Sequence, residues 1–309
     1  MTNPAIAGIP LVLGGNVFGW TADRDTSFAV LDAFYEASGR MVDTADVYSA
    51  WVPGHKGGES EAVLGEWLAS RGVRSEMRIH TKTGMLAPGG GDPALFSAER
   101  IADSLQKSLD RLQTDYLDLY YAHRDYEELP AADIVAAFGS ATKDKVRSLG
   151  ASNFTAARLT EALAAAKAAG TMPFTALQNE YNLVSREKYR ADLQALCTTN
   201  GIAMMPFYGI ANGFLTGKYR SEADFGKSVR GGRMKELIVS GAPMLAAMDG
   251  IAAETGATLA QIALAWLVAQ PGIAAPIASA TKVEQVKDLC GMASLTLTAA
   301  QLSSLDNAL

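Results

Sequence analysis

The chain has 309 residues, with 27 basic and 33 acidic side chains and a formal net charge of −6. This balance provides no basic field for nucleic acid, so we expect no nucleic-acid partner and read the charge as favouring solubility. The length is large for one compact core, but an eight-fold α/β barrel regularly reaches it as a single domain. No linker rich in Pro, Gly or Ser divides the chain, so we predict one domain over residues 1–309.

The cysteines and the apolar segments indicate the compartment. Cys197 and Cys290 lie in predicted helices far apart in the sequence and lack metal-ligand spacing, so we expect free thiols and no metal site. The N-terminal segment has neither the basic region nor the long apolar stretch of a secretory signal. The apolar segment Leu259–Gln270 is too short to span a bilayer. These features predict a cytoplasmic protein with no membrane partner.

Short β-rich runs alternate with helical stretches, which is typical of repeated βα units around a parallel sheet. The predicted strands are Pro10–Leu13, Met41–Asp43, Met77–Lys82, Leu117–His123, Val146–Ser152, Ala176–Glu180, Ala203–Phe207 and Ile273–Ile277. The predicted intervening helices are Thr26–Ala37, Ser60–Ser70, Ser97–Leu109, Ala131–Lys143, Thr155–Ala168, Lys188–Thr199, Thr258–Ala269 and Lys282–Met292. Two extra helices are predicted at Pro243–Thr255 and Thr298–Leu309.

Eight strands are the number that a closed barrel needs. Alternating strands and helices also suit an open doubly wound sheet, but the LGGNVFG segment after the first strand lacks GxGxxG spacing. We therefore predict an α/β fold, a (β/α)8 TIM barrel with extra C-terminal helices.

Four polar residues lie at or just beyond the ends of predicted strands: Asp43, Tyr48, Lys82 and His123. Each alone could be a solvated charge or a satisfied core group. Together they lie where parallel α/β folds hold their active sites, at the carboxyl ends of strands. The set suits the protonation of a carbonyl oxygen while a hydride arrives at its carbon.

Each of the four has a role that its chemistry favours. A phenol with a pKa of ~10 needs a neighbouring cation to act as an acid near neutrality, and Lys82 could supply it to Tyr48. The Asp43 carboxylate would hold that ammonium in place and keep it protonated. A neutral His123 could orient the carbonyl or relay a proton. Strand alternation also puts His80 on the same face as Lys82, so we predict that His80 fills the core below it.

These residues lie in motifs that resemble the aldo-keto reductase superfamily, especially its bacterial, sugar-dehydrogenase-like and potassium-channel-beta-like branches. The motifs, in the family's order, are DTADVY, the TK ending at Lys82, LDLYYAH, GASNF, LQNEYN, GFLTGKYR and PIASATKVEQV. The resemblance covers essentially the whole chain. It implies an NAD(P)-dependent oxidoreductase acting on a carbonyl/alcohol pair: an aldehyde, a ketone or a sugar. The alternative that it leaves open is a cofactor-binding regulatory subunit resembling channel-associated beta subunits.

The resemblance also implies a nicotinamide site. It assigns Ser152, Asn153 and Gln178 to the nicotinamide carboxamide and Phe207 to stacking on the ring. Taken singly, these residues fit a turn, a buried glutamine and an ordinary core aromatic equally well. Tyr208 and the glycine after it depart from the Ser-Pro-Leu that many relatives have there.

The remainder of the cofactor site is expected further along the chain. A glycine-rich loop expected to approach the pyrophosphate contains Gly213, Leu215, Gly217 and Lys218. The segment that resembles the adenosine 2′-phosphate site contains Ser279, Thr281, Lys282 and Gln285. Thr281 replaces the usual arginine and leaves Lys282 as the adjacent cation, so NADP(H) is favoured and NAD(H) is a rival. Arg230 and Arg233 are expected to be solvated loop charges, with phosphate contact as the alternative.

Aromatic residues near the predicted mouth of the barrel suggest the substrate pocket. Trp51 lies in a long loop after Tyr48, and Phe18 and Trp20 follow the first strand. We expect these three aromatic side chains to form an apolar wall. Such a wall accepts flat or hydrophobic carbonyls, and sugars also stack on tryptophan.

Overall fold

The computed structural model describes residues 3–87, 90–227 and 231–309, with residue 233 described by its backbone alone. Its strands are β1 Val12–Gly14, β2 Met41–Asp43, β3 Arg78–Thr83, β4 Leu119–Ala122, β5 Leu149–Ser152, β6 Phe174–Gln178, β7 Ala203–Met204 and β8 Ile277–Ala278. All neighbours pair in parallel, in the order β7-β6-β5-β4-β3-β2-β1-β8. The predicted (β/α)8 fold is confirmed.

The sheet closes between its two end strands, β7 and β8, through isolated hydrogen bonds. Ala274 N donates to Met204 O at 2.8 Å, and Ile277 N donates to Pro206 O at 2.8 Å. The predicted eighth strand, Ile273–Ile277, was therefore wrong in its bounds. One physical reason is Pro276, which has no N–H to add to a continuous ladder. We call this irregular contact the β7–β8 seam.

Helices alternate with the strands and cover the outside of the barrel. They are α1 Arg24–Glu36, α2 Glu59–Arg71, α3 Ala98–Leu112, α4 Ala131–Ala141, α5 Ala156–Ala169, α6 Ala191–Asn200, α7 Leu237–Ser240, α8 Ala242–Thr255, α9 Leu259–Val268, α10 Val283–Cys290 and α11 Ala299–Asp306. The predicted extra helices correspond to α8 and α11, whereas the single turn α7 was not predicted. Ser97 caps α3 as predicted, because its side chain accepts from Arg100 N.

The apolar side chains form two cores, one inside the barrel and one between the barrel and its helices. Leu119 and Tyr121 lie in the inner core, while Ile79 and Tyr120 lie in the outer core. Alternation along the strands therefore sorts side chains between the two cores. His80 is fully buried, and its Nε2 donates to Ala5 O at 2.8 Å, where the N-terminal segment joins the inner core.

Helices α2 and α3 approach each other closely at Gly65. A Cβ atom at this position would overlap the backbone carbonyl of Arg111. Among the described residues, no single helix has the length and apolar composition of a membrane span. Helices α8 and α9 reach that composition only as a pair, bent by 97°.

Candidate active site

Lys82 is the centre of a buried polar cluster at the carboxyl end of β3. Its Nζ donates to Asp43 Oδ2 at 2.6 Å, to Thr44 O at 2.7 Å and to Tyr48 Oη at 3.2 Å. The side chain of Lys82 is fully buried. The three donors of the ammonium are thus each paired with an oxygen, which compensates for burying the charge. The Thr44 carbonyl was not anticipated, because backbone contacts leave no side-chain signal in a sequence.

The local chain path explains why Tyr48 reaches Lys82. Asp43 ends β2, which pairs with β3, and Asp46 N donates to Lys82 O at 3.1 Å. The chain then turns, with Tyr48 N donating to Ala45 O at 3.2 Å. This turn brings the Tyr48 ring to 4.8 Å from the Lys82 ammonium.

Burial and charge act in opposite directions on this pair. Burial of the phenol raises the pKa of Tyr48 above its ordinary value, and the nearby Lys82 ammonium only partly counteracts it. The expected lowering by Lys82 is therefore present, but it is the smaller effect. For Lys82, burial lowers the pKa, yet the Asp43 carboxylate and the Tyr48 hydroxyl more than offset this, so the net pKa is raised. Lys82 therefore stays charged.

His123 lies beside Tyr48, directly after β4. The two rings are 6.0 Å apart between centroids, with an interplanar angle of 70°. Burial, and secondarily the Lys82 charge, lowers the pKa of His123 well below its usual range. Its imidazole is therefore neutral at physiological pH. Its Nδ1 is buried without a hydrogen-bond partner among the described residues.

Three of the predicted cofactor residues meet where β5 and β6 end. Ser152 and Gln178 are paired across the two strands, and Asn153 Nδ2 donates to Ser152 Oγ at 3.1 Å. Gln178 Nε2 also donates to Asp43 Oδ1 at 2.8 Å, a contact that the sequence did not reveal. Gln178 thus links the amide cluster to the Lys82 cluster.

Phe207 is half-buried beyond β7 and packs against the inner core. A hydroxyl and two carboxamides together with this ring match the chemistry of a nicotinamide, which has a carboxamide to bind and a flat face to stack. The residues present therefore fit the cofactor that the sequence suggested.

The loop expected to hold the pyrophosphate differs from expectation. Gly213 N and Leu215 N both donate to Ile210 O, at 2.9 and 3.3 Å, and Gly217 N donates to Phe214 O at 3.0 Å. These three N–H groups are used within the 3₁₀ turn Ala211–Thr216 and at its end. They are therefore not available to a phosphate, contrary to the prediction.

The Lys218 ammonium is the charged group that this loop can offer to a phosphate. Its Nζ lies 4.9 Å from the centre of the Tyr219 ring. Lys218 has no carboxylate partner among the described residues. Arg230 and the side chain of Arg233 lie outside the described part of the chain.

The segment predicted to bind the adenosine 2′-phosphate lies at the start of α10. Thr281 N donates to Gln285 Oε1 at 2.8 Å, and Lys282 precedes α10 without a side-chain capping bond. Ser279 Oγ donates to Asn16 Oδ1 at 2.6 Å. Sequence reasoning missed Asn16, although it lies in the LGGNVFG segment that follows the first strand.

An aromatic wall extends outward from Tyr48. The Trp51 ring lies 5.6 Å from the Tyr48 ring and 5.6 Å from the Trp20 ring, and Trp51 is 37% exposed. Phe18 does not belong to this wall. Phe18 is 0% exposed and packs in the outer core, so its assignment to the pocket was wrong. A residue just past a strand can turn either way, and alternation does not extend into such a loop.

One missed residue holds the loop that carries Trp51. The Glu59 carboxylate accepts hydrogen bonds from Ser49 N at 3.2 Å, Lys56 N at 2.8 Å and Gly57 N at 3.0 Å. Glu59 therefore fixes both ends of the segment between Tyr48 and α2.

Comparison with known proteins agrees with this geometry. The chain is 31% identical over 288 residues to the uncharacterized oxidoreductase YrpG of Bacillus subtilis, covering 90% of this chain and 85% of that protein. It is 30% identical to the aryl-alcohol dehydrogenase GME11368 of Pestalotiopsis microspora, covering 96% and 78%. It is 29% identical to a probable voltage-gated potassium channel subunit beta of Arabidopsis thaliana, covering 88% and 83%.

The model of the Aldo/keto reductase family matches residues 10–309. This match spans every strand of the barrel and all the residues of the Lys82 cluster. The chain therefore belongs to the aldo/keto reductase family.

Proposed function

We propose that the protein is an NAD(P)-dependent oxidoreductase that interconverts a carbonyl compound and its alcohol. The observation that carries this proposal is the Lys82 ammonium, which contacts Tyr48 Oη at 3.2 Å and Asp43 Oδ2 at 2.6 Å. A buried phenol against a buried cation is suited to giving up and regaining a proton. When bound, the nicotinamide supplies or accepts the hydride.

In the reducing direction, Tyr48 donates its proton to the carbonyl oxygen of the substrate. The Lys82 ammonium stabilises the phenolate that remains, and Asp43 keeps this ammonium in position. His123, being neutral, donates a hydrogen bond from one ring nitrogen and so orients the carbonyl beside Tyr48. In the oxidising direction the same groups act in reverse order.

The substrate proposed is a flat or hydrophobic aldehyde or ketone, because Tyr48 packs against Trp51, which is 37% exposed and itself packs against Trp20. The name of the Pestalotiopsis relative, an aryl-alcohol dehydrogenase, supports this choice. A sugar that stacks on tryptophan is the alternative. NADP(H) is the preferred cofactor through Lys282, and NAD(H) is the rival. The two buried free thiols, Cys197 and Cys290, suit the cytoplasmic location that we propose.

The test combines cofactor binding with turnover. The wild-type protein is titrated with NADPH and NADH and then assayed on aldehydes, ketones and sugars. Tyr48→Phe should bind cofactor as the wild type does but lose about 10²- to 10⁴-fold in kcat, the contribution typical of general acid catalysis. A Tyr48→Phe variant that keeps most of the wild-type kcat would refute the role of Tyr48.

A cofactor-binding regulatory subunit is the second candidate. The observation that favours it is the 29% identity to a probable potassium channel subunit beta over 279 residues. The same titration separates the candidates. A regulatory subunit would bind a dinucleotide yet turn over no member of the substrate panel.

A further inference from the structure

A second polar cluster lies on the outer side of β3, opposite Lys82. Thr81 and Thr83 flank Lys82 in the strand, so their side chains point toward the helices rather than into the barrel. The hydroxyl of Thr81 donates to Glu61 Oε1 at 2.6 Å, and that of Thr83 donates to Asp46 Oδ2 at 2.7 Å. Two carboxyl groups therefore lie behind the strand that carries Lys82.

Among the described residues, one cation serves these two carboxyl groups. Arg111 Nε donates to Glu61 Oε2 at 2.7 Å. Asp46 forms no ion pair in the described part of the chain, and its Oδ1 is buried without a hydrogen-bond partner there. Tyr120 of β4 faces the same cluster with a hydroxyl that likewise lacks a partner among these residues. An ionised Asp46 thus leaves a buried negative charge uncompensated, whereas a protonated Asp46 is neutral.

The charge of Asp46 affects Tyr48 because both residues belong to one turn. Asp46 lies two residues before Tyr48, and its backbone N–H donates to Lys82 O at 3.1 Å. Together with the bond from Thr83, this contact fixes Asp46 to β3 through both its backbone and its side chain. A shift of Asp46 toward water would therefore move the Tyr48 hydroxyl away from the Lys82 ammonium, which lies 3.2 Å from it.

Asp46 titrates in a pH range where its neighbours in the active site do not. Burial, and secondarily the charge of Glu61, raises the pKa of Asp46 to about 7. The pKa of Tyr48 and that of Lys82 are raised above their ordinary values, and the pKa of His123 is well below its ordinary value. These three side chains therefore keep their charges between pH 6 and pH 8.

We propose that Asp46 is a positioning residue, which holds Tyr48 against Lys82 only while its own carboxyl group carries a proton. Loss of this proton places a second negative charge beside Glu61, so the side chain is drawn toward water and the turn shifts. The kinetic part of this inference rests on the proposed function, whereas the movement of the turn does not.

Asp46→Asn tests the proposal, because the amide still accepts the bond from Thr83 but cannot ionise. The rate of hydride transfer is measured in a single turnover, so product release does not contribute. In the wild type it should fall about tenfold from pH 6 to pH 8, as the protonated fraction of a group with a pKa of about 7 does. In Asp46→Asn the two rates should be equal. Asp133→Asn, which removes an exposed carboxylate of α4, is the control and should keep the tenfold fall.

Thr83→Val is a second variant, which leaves the Asp46 carboxyl group in place. The Thr83 hydrogen bond lowers the pKa of Asp46, so its removal should move the fall in rate to higher pH. A role that is only structural would reduce the rate at every pH without moving the fall.

Tryptophan fluorescence follows the turn without any turnover. The Trp51 ring lies 5.6 Å from the Tyr48 ring, so a shift of the turn should change its emission. The wild-type emission should change between pH 6 and pH 8, and that of Asp46→Asn should not. Trp51→Phe in the wild-type background should remove the change.

A fall in rate that is the same in Asp46→Asn and the wild type, or absent from both, would overturn the positioning role. Emission that responds to pH equally in both proteins, or in neither, would also overturn it. If the wild type turns over no substrate but its emission alone changes, the proposed function fails while the link between Asp46 and the turn is supported.

Discussion

At the scale of single residues, Lys82 connects the chemistry of the site to its stability. Its ammonium is fully buried and is held by Asp43, which has a second hydrogen bond from Gln178. Removing one partner of a buried ion pair leaves the other charge uncompensated. In the proposed function the same residue therefore supports Tyr48 as an acid, and it also compensates the buried charge of Asp43.

Lys82→Met should lower the free energy of unfolding by about 3–5 kcal/mol, because Asp43 loses its cation. In any residual activity, the basic limb of the pH–rate profile should move to higher pH, since Lys82 no longer lowers the pKa of Tyr48. Urea unfolding and a pH–rate profile measure the two effects. Lys107→Met is the control, because Lys107 pairs with Asp103 at 2.7 Å on the exposed face of α3 and should contribute less than about 1 kcal/mol. An unmoved basic limb would contradict the coupling.

Lys282→Ala tests the cofactor preference. If Lys282 contacts a 2′-phosphate, the variant should bind NADPH more weakly by roughly 1.5 kcal/mol, the lower end for a bond to a charged group, because Lys282 is exposed. NADH affinity should not change. Lys287→Ala, on the same helix α10, should alter neither affinity. Equal losses for both cofactors would remove the reason for preferring NADP(H).

The sequence predicted which residue types lie at the strand ends, but not every contact between them. The grouping of Asp43, Lys82 and His123 followed from parallel strands ending at one edge. The bond from Gln178 to Asp43 joins residues that are far apart in the chain, and only the closed barrel brings them together. Phe18 was wrongly assigned to the pocket, because side chains beyond the end of a strand no longer alternate between its two faces. The roles assigned to the site residues stay predictions.

At the scale of elements, the contact between α2 and α3 depends on a residue that has no side chain. Gly65 lies inside α2, where alanine would normally be the better helix former. Its position against the backbone of Arg111 reverses that preference, because a Cβ there overlaps the carbonyl group.

Gly65→Ala should therefore destabilise the protein, by about 1–3 kcal/mol, as overpacking does. Gly250→Ala in α8 provides the matched control, since a Cβ there meets nothing within 4 Å. This second variant should gain about 0.5–1 kcal/mol from helix propensity alone. Chemical unfolding of both variants gives the comparison. Equal changes of the same sign would show that the α2–α3 contact yields to the added methyl group.

Element boundaries were predicted best where a cap marks them. Thr258 and Gln261 form a capping box at the start of α9, within one residue of the predicted start. The ends of the strands were predicted less accurately, because they depend on pairing partners that the sequence does not reveal. The segment before β8 shows this, since its bonds to β7 and Pro206 are isolated rather than continuous.

At the scale of the whole molecule, two buried histidines make stability depend on pH. Burial lowers the pKa of His80 and lowers that of His123 still further. In the unfolded chain both would titrate near ~6.5. Below that pH these two groups bind more protons in the unfolded state than in the folded state, so their contribution to stability falls as the pH falls.

The two histidines should decrease the free energy of unfolding between pH 7 and pH 5, by up to about 1.4 kcal/mol per histidine for each pH unit below ~6.5. Asp46 acts in the opposite direction, because burial raises its pKa to about 7 and the folded state therefore binds its proton in this window. Carboxylates with lowered pKa values, such as Asp32, act only at lower pH, as the unfolded groups begin to protonate. His80→Gln should gain stability relative to the wild type as the pH falls from 7 to 5, measured by urea unfolding of both proteins at each pH. A difference between the two proteins that stays constant across this window would contradict the neutral, buried state of His80.

The β7–β8 seam has a consequence for how the barrel opens. A seam held by isolated hydrogen bonds costs less to separate than a continuous ladder, so its amide protons should exchange with solvent earlier than those of β4. Phe207 follows β7 and Ser279 follows β8, the two strands of the seam. A dinucleotide bound to both residues would therefore hold the two strands together. Adding NADPH should then slow hydrogen exchange at the amides of Ala274 and Ile277 more than in β4. Binding of the ligand would thus stabilise the place where the barrel closes.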